Sequence, residues 1–457
     1  MTATAPLTRS EAEIDMAALP TPTLAELARA DGVEFILATF VDMTGRPCAK
    51  LVPVSAADEL QYEGMGFAGY AAGLIGQDPQ DSDLVVVPDL SSWTPLHFVK
   101  QGLGMVQCDP HVNGQPWPYA PRVALKNTLA KLAARGLRPM VGAEIEYFLV
   151  KSNEDGSIAT ADERDCSPHP CYDARGVTRM YEHLTSISEA MNSLGWGNYA
   201  NDHEDGAGQF EQNFAYADAM TTADRVIVAR YIITMLASER GMTATFMPKP
   251  FTDRPGNGMH MHLSLWNGNQ ALFPDDDDAR GLGLSGQAYS FIGGVLEHSS
   301  ALLAFMAPTV NSYKRRNAQT SVSGATWSPR KATYGGNDRT HFIRVPDGNR
   351  IELRGGDGSG NPYLMMASVL EAGLDGIDRQ LDPGDPCGPG EQPETAVELP
   401  ATLLHATTAL RQDEVVLASI GGDRAVGEYY AKAKEEEFLS WHNQVSQWEL
   451  TSYLTHF

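Results

Sequence analysis

The sequence has few basic residues, few cysteines and no long apolar run. Its 457 residues include 34 Lys and Arg against 58 Asp and Glu, which gives a formal net charge of −24. This balance argues against nucleic acid or an anionic membrane as a partner, because phosphate binding needs clustered Lys and Arg. No run approaches the roughly 18 apolar residues of a membrane span. Residues 1–15 also lack the apolar core that is typical of a signal peptide.

The cysteines are too few and too irregular for a disulfide framework. Their number is odd and no Cys-x-x-Cys motif occurs among them, since they stand at Cys48, Cys108, Cys166, Cys171 and Cys387. We therefore expect reduced thiols in a cytoplasmic protein. The hydrophobic content of 42% is ordinary for a globular protein, and the length predicts two domains.

The pattern of predicted elements changes near residue 112. Residues 1–112 favour a small β-rich domain, and residues 113–457 favour a larger domain in which helices alternate with strands. Three prolines between Asn113 and Arg122 are typical of a linker. Long apolar patterns in the larger domain predict helices at Thr222 to Gly241, Leu284 to Met306 and Gly421 to Asn443.

A hairpin is predicted early in the small domain. Two apolar strands, Phe35 to Val41 and Pro47 to Val54, flank the turn Asp42-Met-Thr-Gly45. Aspartate is common in turns because its carboxylate bonds to nearby backbone N–H groups. Local bonding is therefore the simplest interpretation of Asp42 on its own.

The most informative segment of the larger domain is Val141 to Val150, which contains two acids in a sequence that otherwise favours a buried strand. Residues two apart on a strand point to the same face, so Glu144 and Glu146 should lie side by side. Like charges this close repel each other, and a divalent cation would relieve the repulsion. A lone Glu-x-Glu could instead mark an edge strand with one solvated face.

Three downstream segments repeat the pattern of a polar face backed by an apolar face, which favours a cavity. A glycine-rich turn between Glu204 and Glu211 would bring these two acids together. The other two segments, as strands, each place three polar side chains on one face, namely His260, His262 and Ser264, and Arg350, Glu352 and Arg354. Neighbouring motifs add further cationic side chains, including Arg315, Arg339 and Arg344.

This combination of residues predicts phosphoryl transfer. Carboxylates suit hard cations such as Mg²⁺ or Mn²⁺, and arginines suit bidentate binding of phosphate or carboxylate. Each arginine alone is more often a surface ion-pair partner. Acids, metal ions and arginines together describe a site that stabilises a transferring phosphoryl group.

The motifs, taken in order, resemble the glutamine synthetase family. They are Gly142-Ala-Glu-Ile-Glu-Tyr-Phe-Leu, Gly258-Met-His-Met-His-Leu-Ser, Asn311-Ser-Tyr-Lys-Arg, Arg350-Ile-Glu-Leu-Arg and Asn361-Pro-Tyr-Leu. The resemblance implies an α+β fold, with an N-terminal β-grasp domain at residues 1–112 and a catalytic domain at residues 113–457 that holds a curved antiparallel sheet surrounded by helices. It also implies a homododecamer of two stacked hexameric rings, with active sites between subunits.

The resemblance further implies a role for each matching residue. One metal ion would be held by Glu146, Glu204 and Glu211, and a second by Glu144, His260 and Glu352. Glutamate would contact Gly256, His260, Arg315, Arg339 and Arg354, while ATP would contact His262, Ser264, Arg344 and Arg350. The catalytic residues would be Asp42, Glu204, Arg315 and Arg339, with Asp42 reaching the active site of a neighbouring subunit.

Two departures from the family pattern bear on the amine substrate. The segment Arg316 to Ala325 contains no acid where glutamine synthetases carry a flap glutamate, and Ala68 to Ala72 replaces the family's Asp-Gly-Ser-Ser latch. This variant pattern resembles the glutamate–methylamine ligases, so the expected substrates are L-glutamate, ATP and methylamine. Ammonia, or another amine such as a polyamine, is the alternative. A non-catalytic sensor on the same fold is less favoured, because all six expected metal ligands are present.

Overall fold

Two sheets with their attached helices make up the computed structural model, which describes residues 22–318 and 328–457. The first part of the chain forms a seven-stranded sheet with short helices. Its helices and strands are α1 (Leu24–Ala30), β1 (Phe35–Val41), β2 (Pro47–Pro53), α2 (Ala57–Glu63), β3 (Met65–Phe67), α3 (Gly69–Ala72), β4 (Leu84–Pro88), β5 (Thr94–Pro95), β6 (Leu103–Val112) and β7 (Gln115–Pro116).

The remainder of the chain contains an eleven-stranded sheet and the longer helices. Its elements, up to the end of the sheet, are α4 (Pro121–Ala134), β8 (Arg138–Ser152), β9 (Ile158–Thr160), α5 (Ala174–Arg179), α6 (Tyr181–Ser193), β10 (Asn198–His203), β11 (Gln209–Phe214), β12 (Ala217–Asp218), α7 (Ala219–Glu239), β13 (Thr243–Thr245), β14 (Met261–Asn267), β15 (Gln270–Ala271), α8 (Gly286–Glu297), α9 (Ser299–Met306), α10 (Ser312–Arg316), β16 (Tyr334–Gly335), β17 (Ile343–Asp347) and β18 (Arg350–Leu353). Helices complete the chain: α11 (Pro362–Arg379), α12 (Leu403–Gln412), α13 (Glu414–Ala418), α14 (Arg424–His442) and α15 (Gln447–Tyr453).

The smaller sheet has the order β2-β1-β6-β4-β3. The predicted hairpin is confirmed, because β1 and β2 pair antiparallel from Phe35 opposite Pro53 to Val41 opposite Pro47. β1 pairs parallel with β6 inside this otherwise antiparallel sheet, and α2 packs against β4. This mixed arrangement is the one predicted as a β-grasp domain.

The limit of the small domain stays a prediction at residue 112. The strand β7 lies beyond that position and still pairs with β6, with Pro116 opposite His111. Val123 of α4 also packs in the core beneath the small sheet. The predicted linker from Asn113 to Arg122 therefore contains a short strand, and α4 begins within its last two residues.

A buried arginine joins the two parts of the fold. Arg122 of α4 binds both carboxylate oxygens of Asp224 on α7 at 2.9 Å. It also binds Asp109 of β6 at 2.8 Å and Asp89, which precedes a 3₁₀ turn, at 3.0 Å. Since three carboxylates surround one guanidinium away from solvent, the small sheet is fixed against the helices of the larger part.

The larger sheet has the order β10-β11-β8-β14-β18-β17-β16 and is mostly antiparallel. Its central strand, β8, alternates the buried residues Ile145 and Tyr147 with the acids Glu144 and Glu146. The four segments with polar faces belong to neighbouring strands of this sheet, as their patterns predicted. The α+β architecture with a curved sheet and surrounding helices is thus confirmed. In the described ranges, every helix is too short or too polar to cross a bilayer.

The prediction of one helix from Leu284 to Met306 is wrong, because the helix breaks at His298. The imidazole of His298 contacts Asp413 through Nδ1 at 2.7 Å and Asp375 through Nε2 at 3.0 Å. Asp413 caps α13, and Asp375 also binds Arg379 on α11. His298 therefore connects the α8–α9 break to two other helices.

His298→Gln should lower the stability of the fold, most strongly at acidic pH. Burial lowers the pKa of His298, but the hydrogen bonds to Asp413 and Asp375 outweigh burial and raise the pKa above its ordinary value. The stabilisation is complete below the unfolded-state pKa of about 6.5 and is lost as the pH rises through the folded-state pKa. Near pH 6 the free energy of unfolding of His298→Gln should be about 1–3 kcal/mol lower than that of the wild type.

Urea unfolding of both proteins across this pH range measures the effect. The matched control is His405→Gln, since His405 is exposed on α12. The difference between wild type and His298→Gln should shrink toward alkaline pH. A difference that is independent of pH, or grows with it, would contradict the ion pairs assigned to His298.

Candidate active site

A cavity of about 400 Å³ opens where the polar strand faces converge. Ten of the residues predicted for the site line it: Glu144, Glu146, Glu204, Glu211, Gly256, His260, Arg315, Arg339, Arg344 and Arg354. It also contains side chains that sequence reasoning did not identify, among them Cys171, Tyr172, Asp205 and Gln209. The lining contains both acids and arginines, which suits substrates that carry both charges.

The first group of possible metal ligands consists of Glu144, His260 and Glu352. One ligand atom from each lies within 4.8 Å of the others. His260 Nδ1 is 2.9 Å from Glu144 and 3.7 Å from Glu352. Glu352 is 0% exposed and binds Arg344 at 2.5 Å as well as Arg354. Burial alone would raise the pKa of Glu352, but His260 and Arg354 hold it below its ordinary value.

The second group contains Asp202, Glu204 and Glu211, again with ligand atoms within 4.8 Å of one another. The strands β10 and β11 form a hairpin that places Asp202 opposite Glu211, and Gly208 has a φ of +83° within its turn. The glycine turn therefore brings Glu204 and Glu211 together, as predicted. Asp202 was missed, although its position two residues before Glu204 in the same hairpin could have revealed it.

The second group carries more negative charge than the protein itself compensates. Burial and the neighbouring Glu146 hold the pKa of Glu204 well above its usual range. Burial, Glu144 and Glu204 do the same for Glu211. Burial and nearby acids raise the pKa of Asp202 to about 6. A bound cation would remove this repulsion, and carboxylate oxygens are the ligands that Mg²⁺ and Mn²⁺ prefer.

Glu146 lies between the two groups. On β8 it stands directly opposite Glu211 of β11. Its carboxylate accepts hydrogen bonds from Gly258 N at 2.6 Å and Gln209 Nε2 at 3.1 Å, and it is 4.0 Å from His260 Nδ1. The role that the family resemblance implies for Glu146, as a metal ligand together with Glu204 and Glu211, stays a prediction.

Two arginines of the cavity are anchored by hydrogen bonds to backbone carbonyls. Arg315 is buried and donates to Gly356 O at 3.1 Å, while Arg354 donates to Arg339 O at 3.1 Å. Gly256 lies so close to Arg315 that a side chain at that position would collide with it and with a backbone carbonyl. Glycine at this position therefore allows the backbone to pack directly against Arg315 and the carbonyl of Pro248.

A second cavity of about 450 Å³ adjoins the first and shares Glu144 with it. It holds three more of the predicted residues, His262, Ser264 and Arg350. His262 Nε2 is 2.9 Å from Glu144 Oε1, and Arg350 Nε donates to His262 Nδ1 at 3.1 Å. Its aromatic wall, which the sequence did not indicate, consists of Tyr199, Phe214, Tyr216 and Trp266.

Asp42 lines neither cavity of its own chain, as far as the described ranges reach. It is 2% exposed, and its carboxylate accepts hydrogen bonds from Thr44 N at 2.9 Å and Arg46 N at 3.0 Å. Its backbone carbonyl accepts from Asn361 Nδ2 at 2.9 Å. The turn-bonding interpretation of Asp42 thus holds within the chain. The acid-free segment Arg316 to Ala325 lies outside the described residues from position 319 onward.

Comparisons with known proteins agree with this geometry. A model of the glutamine synthetase catalytic domain matches residues 118–453. Glutamine synthetase of Rhizobium leguminosarum bv. phaseoli is 41% identical over 436 residues, which cover 94% of this chain and 99% of that protein. Glutamate–methylamine ligase of Methyloversatilis universalis is 40% identical over 434 residues, or 93% of this chain and 97% of the relative. A solved structure of a GmaS/ADP complex aligns with a TM-score of 0.89 and 45% identity, covering 94% of this chain and 99% of the other. Matches of this extent establish that the chain belongs to the glutamine synthetase family, whose members are ATP-dependent ligases.

Proposed function

We propose that this enzyme joins L-glutamate to methylamine at the expense of ATP and forms γ-glutamylmethylamide, ADP and phosphate. The observation that carries the ligase reaction is the pair of adjoining cavities that share Glu144. One cavity has acids and arginines for glutamate and a phosphoryl group, and the other has an aromatic wall for a base. The choice of methylamine is supported by the similarity to GmaS and by the acid-free sequence from Arg316 to Ala325.

The reaction has two balanced steps. An oxygen of the glutamate γ-carboxylate attacks the γ-phosphorus of ATP, the bond to the β-phosphate oxygen breaks, and ADP leaves. The amine nitrogen then attacks the γ-carbonyl carbon, phosphate leaves, and the nitrogen loses a proton. Two anions must approach each other in the first step, so cationic side chains have to offset their repulsion.

The arginines of the first cavity would meet this need. Arg315, Arg339 and Arg354 would bind the carboxylates of glutamate and the transferred phosphoryl group. Gly256, which lines the same cavity, would offer a backbone group to glutamate. Glu204 would hold the ammonium form of the amine and accept its proton, because it lies in a cluster with surplus negative charge.

The two acid groups fit two divalent cations, Mg²⁺ or Mn²⁺. Glu144, His260 and Glu352 would hold one of them beside the nucleotide phosphates. Glu204 and Glu211, with Asp202 and Glu146 near them, would hold the other beside glutamate. When bound, such cations neutralise phosphate charge and charge that develops on the transferring phosphoryl group.

The second cavity would bind the nucleotide. Its aromatic side chains offer faces on which the nucleotide base could stack, and Asn349 and Arg350 also line it. His262 and Ser264 would provide polar contacts, and Arg344 would reach the phosphates from the neighbouring cavity. The shared Glu144 places the end of the nucleotide at the first group of acids.

Ammonia is the second candidate for the amine. It is favoured by the 41% identity to the glutamine synthetase of Rhizobium leguminosarum bv. phaseoli. The two candidates make different demands on the site, because ammonium offers four N–H donors and methylammonium offers three and a methyl group. The amine preference of the protein therefore decides between them.

Methylamine should be preferred to ammonia by about 10–200-fold in kcat/KM, the range that one methyl group provides in a well-shaped pocket. Ammonia is smaller and should remain a weak substrate with a raised KM. The measurement is phosphate release with ammonia, methylamine, ethylamine and a polyamine, each corrected for its free-base fraction. Equal or higher kcat/KM for ammonia would assign this protein to the glutamine-forming members of the family.

We also propose that the enzyme is a dodecamer of two stacked hexameric rings with active sites between subunits. The motivating observation is that Asp42 lies outside both cavities of its own chain. If Asp42 serves a neighbour, mixing inactive Asp42→Ala and inactive Glu352→Gln protomers should restore a measurable fraction of activity. Native mass spectrometry verifies the mixed oligomers, and mixed oligomers that remain inactive would limit Asp42 to its turn.

A further inference from the structure

The turn before α5 has an unusual backbone. Tyr172 has a φ of +60°, a left-handed conformation that costs energy in a bulky residue because its Cβ crowds the backbone. Asn113 and Gln380 are the other non-glycine residues with positive φ in the described ranges. Strain of this kind persists only where surrounding contacts impose it, so the contacts of Tyr172 indicate what the turn is for.

The turn is fastened to the strand that leads to Glu204. Tyr172 N donates to His203 O at 2.9 Å, and Asp173 N donates to Pro170 O at 2.9 Å. His203 is itself fixed, since its Nε2 is 2.8 Å from Asp165 and its Nδ1 is 2.8 Å from Glu204 O. The position of Tyr172 is therefore set by the same backbone that carries Glu204.

The side chain of Tyr172 borders the first cavity and has little packing of its own. It lines that cavity beside Cys171 and Glu204, yet it remains 70% exposed in the chain. Burial, together with Cys171, Glu204 and Asp202, raises the pKa of its hydroxyl to about 12, so the ring is neutral at physiological pH. A neutral aromatic face thus borders the cluster of acids that would hold an ammonium group.

We propose that the ring of Tyr172 contacts the alkyl group of the amine substrate and sets the preference for methylamine. This inference rests on the proposed function. The amine nitrogen would lie toward Glu204 and Asp202, and its methyl group would lie against the ring. Aromatic faces attract alkylammonium groups through both apolar contact and cation–π interaction. Ammonia offers no methyl group for this contact and gains less from it.

The test compares kcat/KM for methylamine, ethylamine and ammonia in wild type and in three variants. Tyr172→Gly and Tyr172→Asn remove the ring with residues that accept a left-handed φ, so the turn keeps its shape. Tyr172→Phe keeps the ring and removes the hydroxyl. We expect the methylamine-to-ammonia ratio to fall about 10-fold in Tyr172→Gly and Tyr172→Asn. The ethylamine-to-methylamine ratio should rise in both, because space is freed, and Tyr172→Phe should retain the wild-type ratios.

The control is Tyr181→Ala, since Tyr181 is also exposed but lies on α6 and outside the cavity lining. A wild-type enzyme that prefers methylamine, with unchanged ratios in Tyr172→Gly and Tyr172→Asn, overturns the inference and leaves the proposed function standing. Loss of preference in Tyr172→Phe equal to that in Tyr172→Gly also overturns it, because the hydroxyl would then be responsible. A wild-type preference for ammonia overturns the proposed function, and the inference with it.

Discussion

Glu352→Gln should lower the rate of ligation by at least about 100-fold, the scale seen when groups that hold a catalytic metal are changed. Glu352 is 0% exposed, and it lies between His260, Arg344 and Arg354. Glutamine retains the shape of the side chain but removes the negative charge that Arg344 and Arg354 bind. A metal ion in the first group would lose an anionic ligand, and both arginines would lose a partner.

The damage in Glu352→Gln should fall on nucleotide use more than on glutamate use. Its group shares Glu144 with the second cavity, where we place ATP, so the KM for ATP and the Mg²⁺ requirement should rise most. Thermal unfolding must confirm that the variant is folded, because a buried ion-pair partner is lost. Glu297→Gln serves as the control, since Glu297 is more than half exposed and its nearest cation is Arg379 at 3.8 Å. Near-normal turnover at saturating Mg²⁺ would refute the ligand role of Glu352.

The parts of the site that lie on strands could be predicted from the sequence, because a strand has a fixed period of two. Glu144 and Glu146 were expected on one face, and they belong to the central strand of the large sheet. Likewise, the glycines between Glu204 and Glu211 identify a tight turn, which the hairpin of β10 and β11 confirms. In both cases the local backbone geometry already fixes which side chains lie together, and the burial of the sheet favours the same placement.

Other parts depend on contacts between distant segments, which no local pattern encodes. Tyr172 reaches the cavity because its turn bonds to His203, which lies about 30 residues further along the chain at the end of β10. The aromatic wall of the second cavity combines Tyr199 of β10 with Trp266 of β14, two strands that are not neighbours in the sheet. The break at His298 arises because Asp375 and Asp413 bind its imidazole, whereas the apolar pattern continues through it. Such positions require the tertiary fold, and they are where the sequence-based predictions were incomplete or wrong.

Glu204→Gln should have opposite effects on the metal-free protein and on the enzyme with Mg²⁺. Without metal, removing one charge from the cluster with Asp202, Glu211 and the nearby Glu146 lowers electrostatic repulsion, so thermal stability should stay equal or rise. With Mg²⁺, the stabilisation by the ion should shrink because one anionic ligand is gone.

The activity of Glu204→Gln should fall by about 100-fold or more, chiefly in kcat/KM for the amine, since the neutral amide neither holds an ammonium group nor takes its proton. Glu189→Gln on the exposed face of α6 is the control for the loss of one negative charge. The decisive comparison is the melting temperature of each protein with and without Mg²⁺, beside its amine kinetics. If Glu204→Gln keeps the full Mg²⁺-induced shift and the wild-type kcat/KM for methylamine, then Glu204 neither binds the metal nor serves the amine. In that case the surplus negative charge around Asp202 and Glu211 would need another cationic partner.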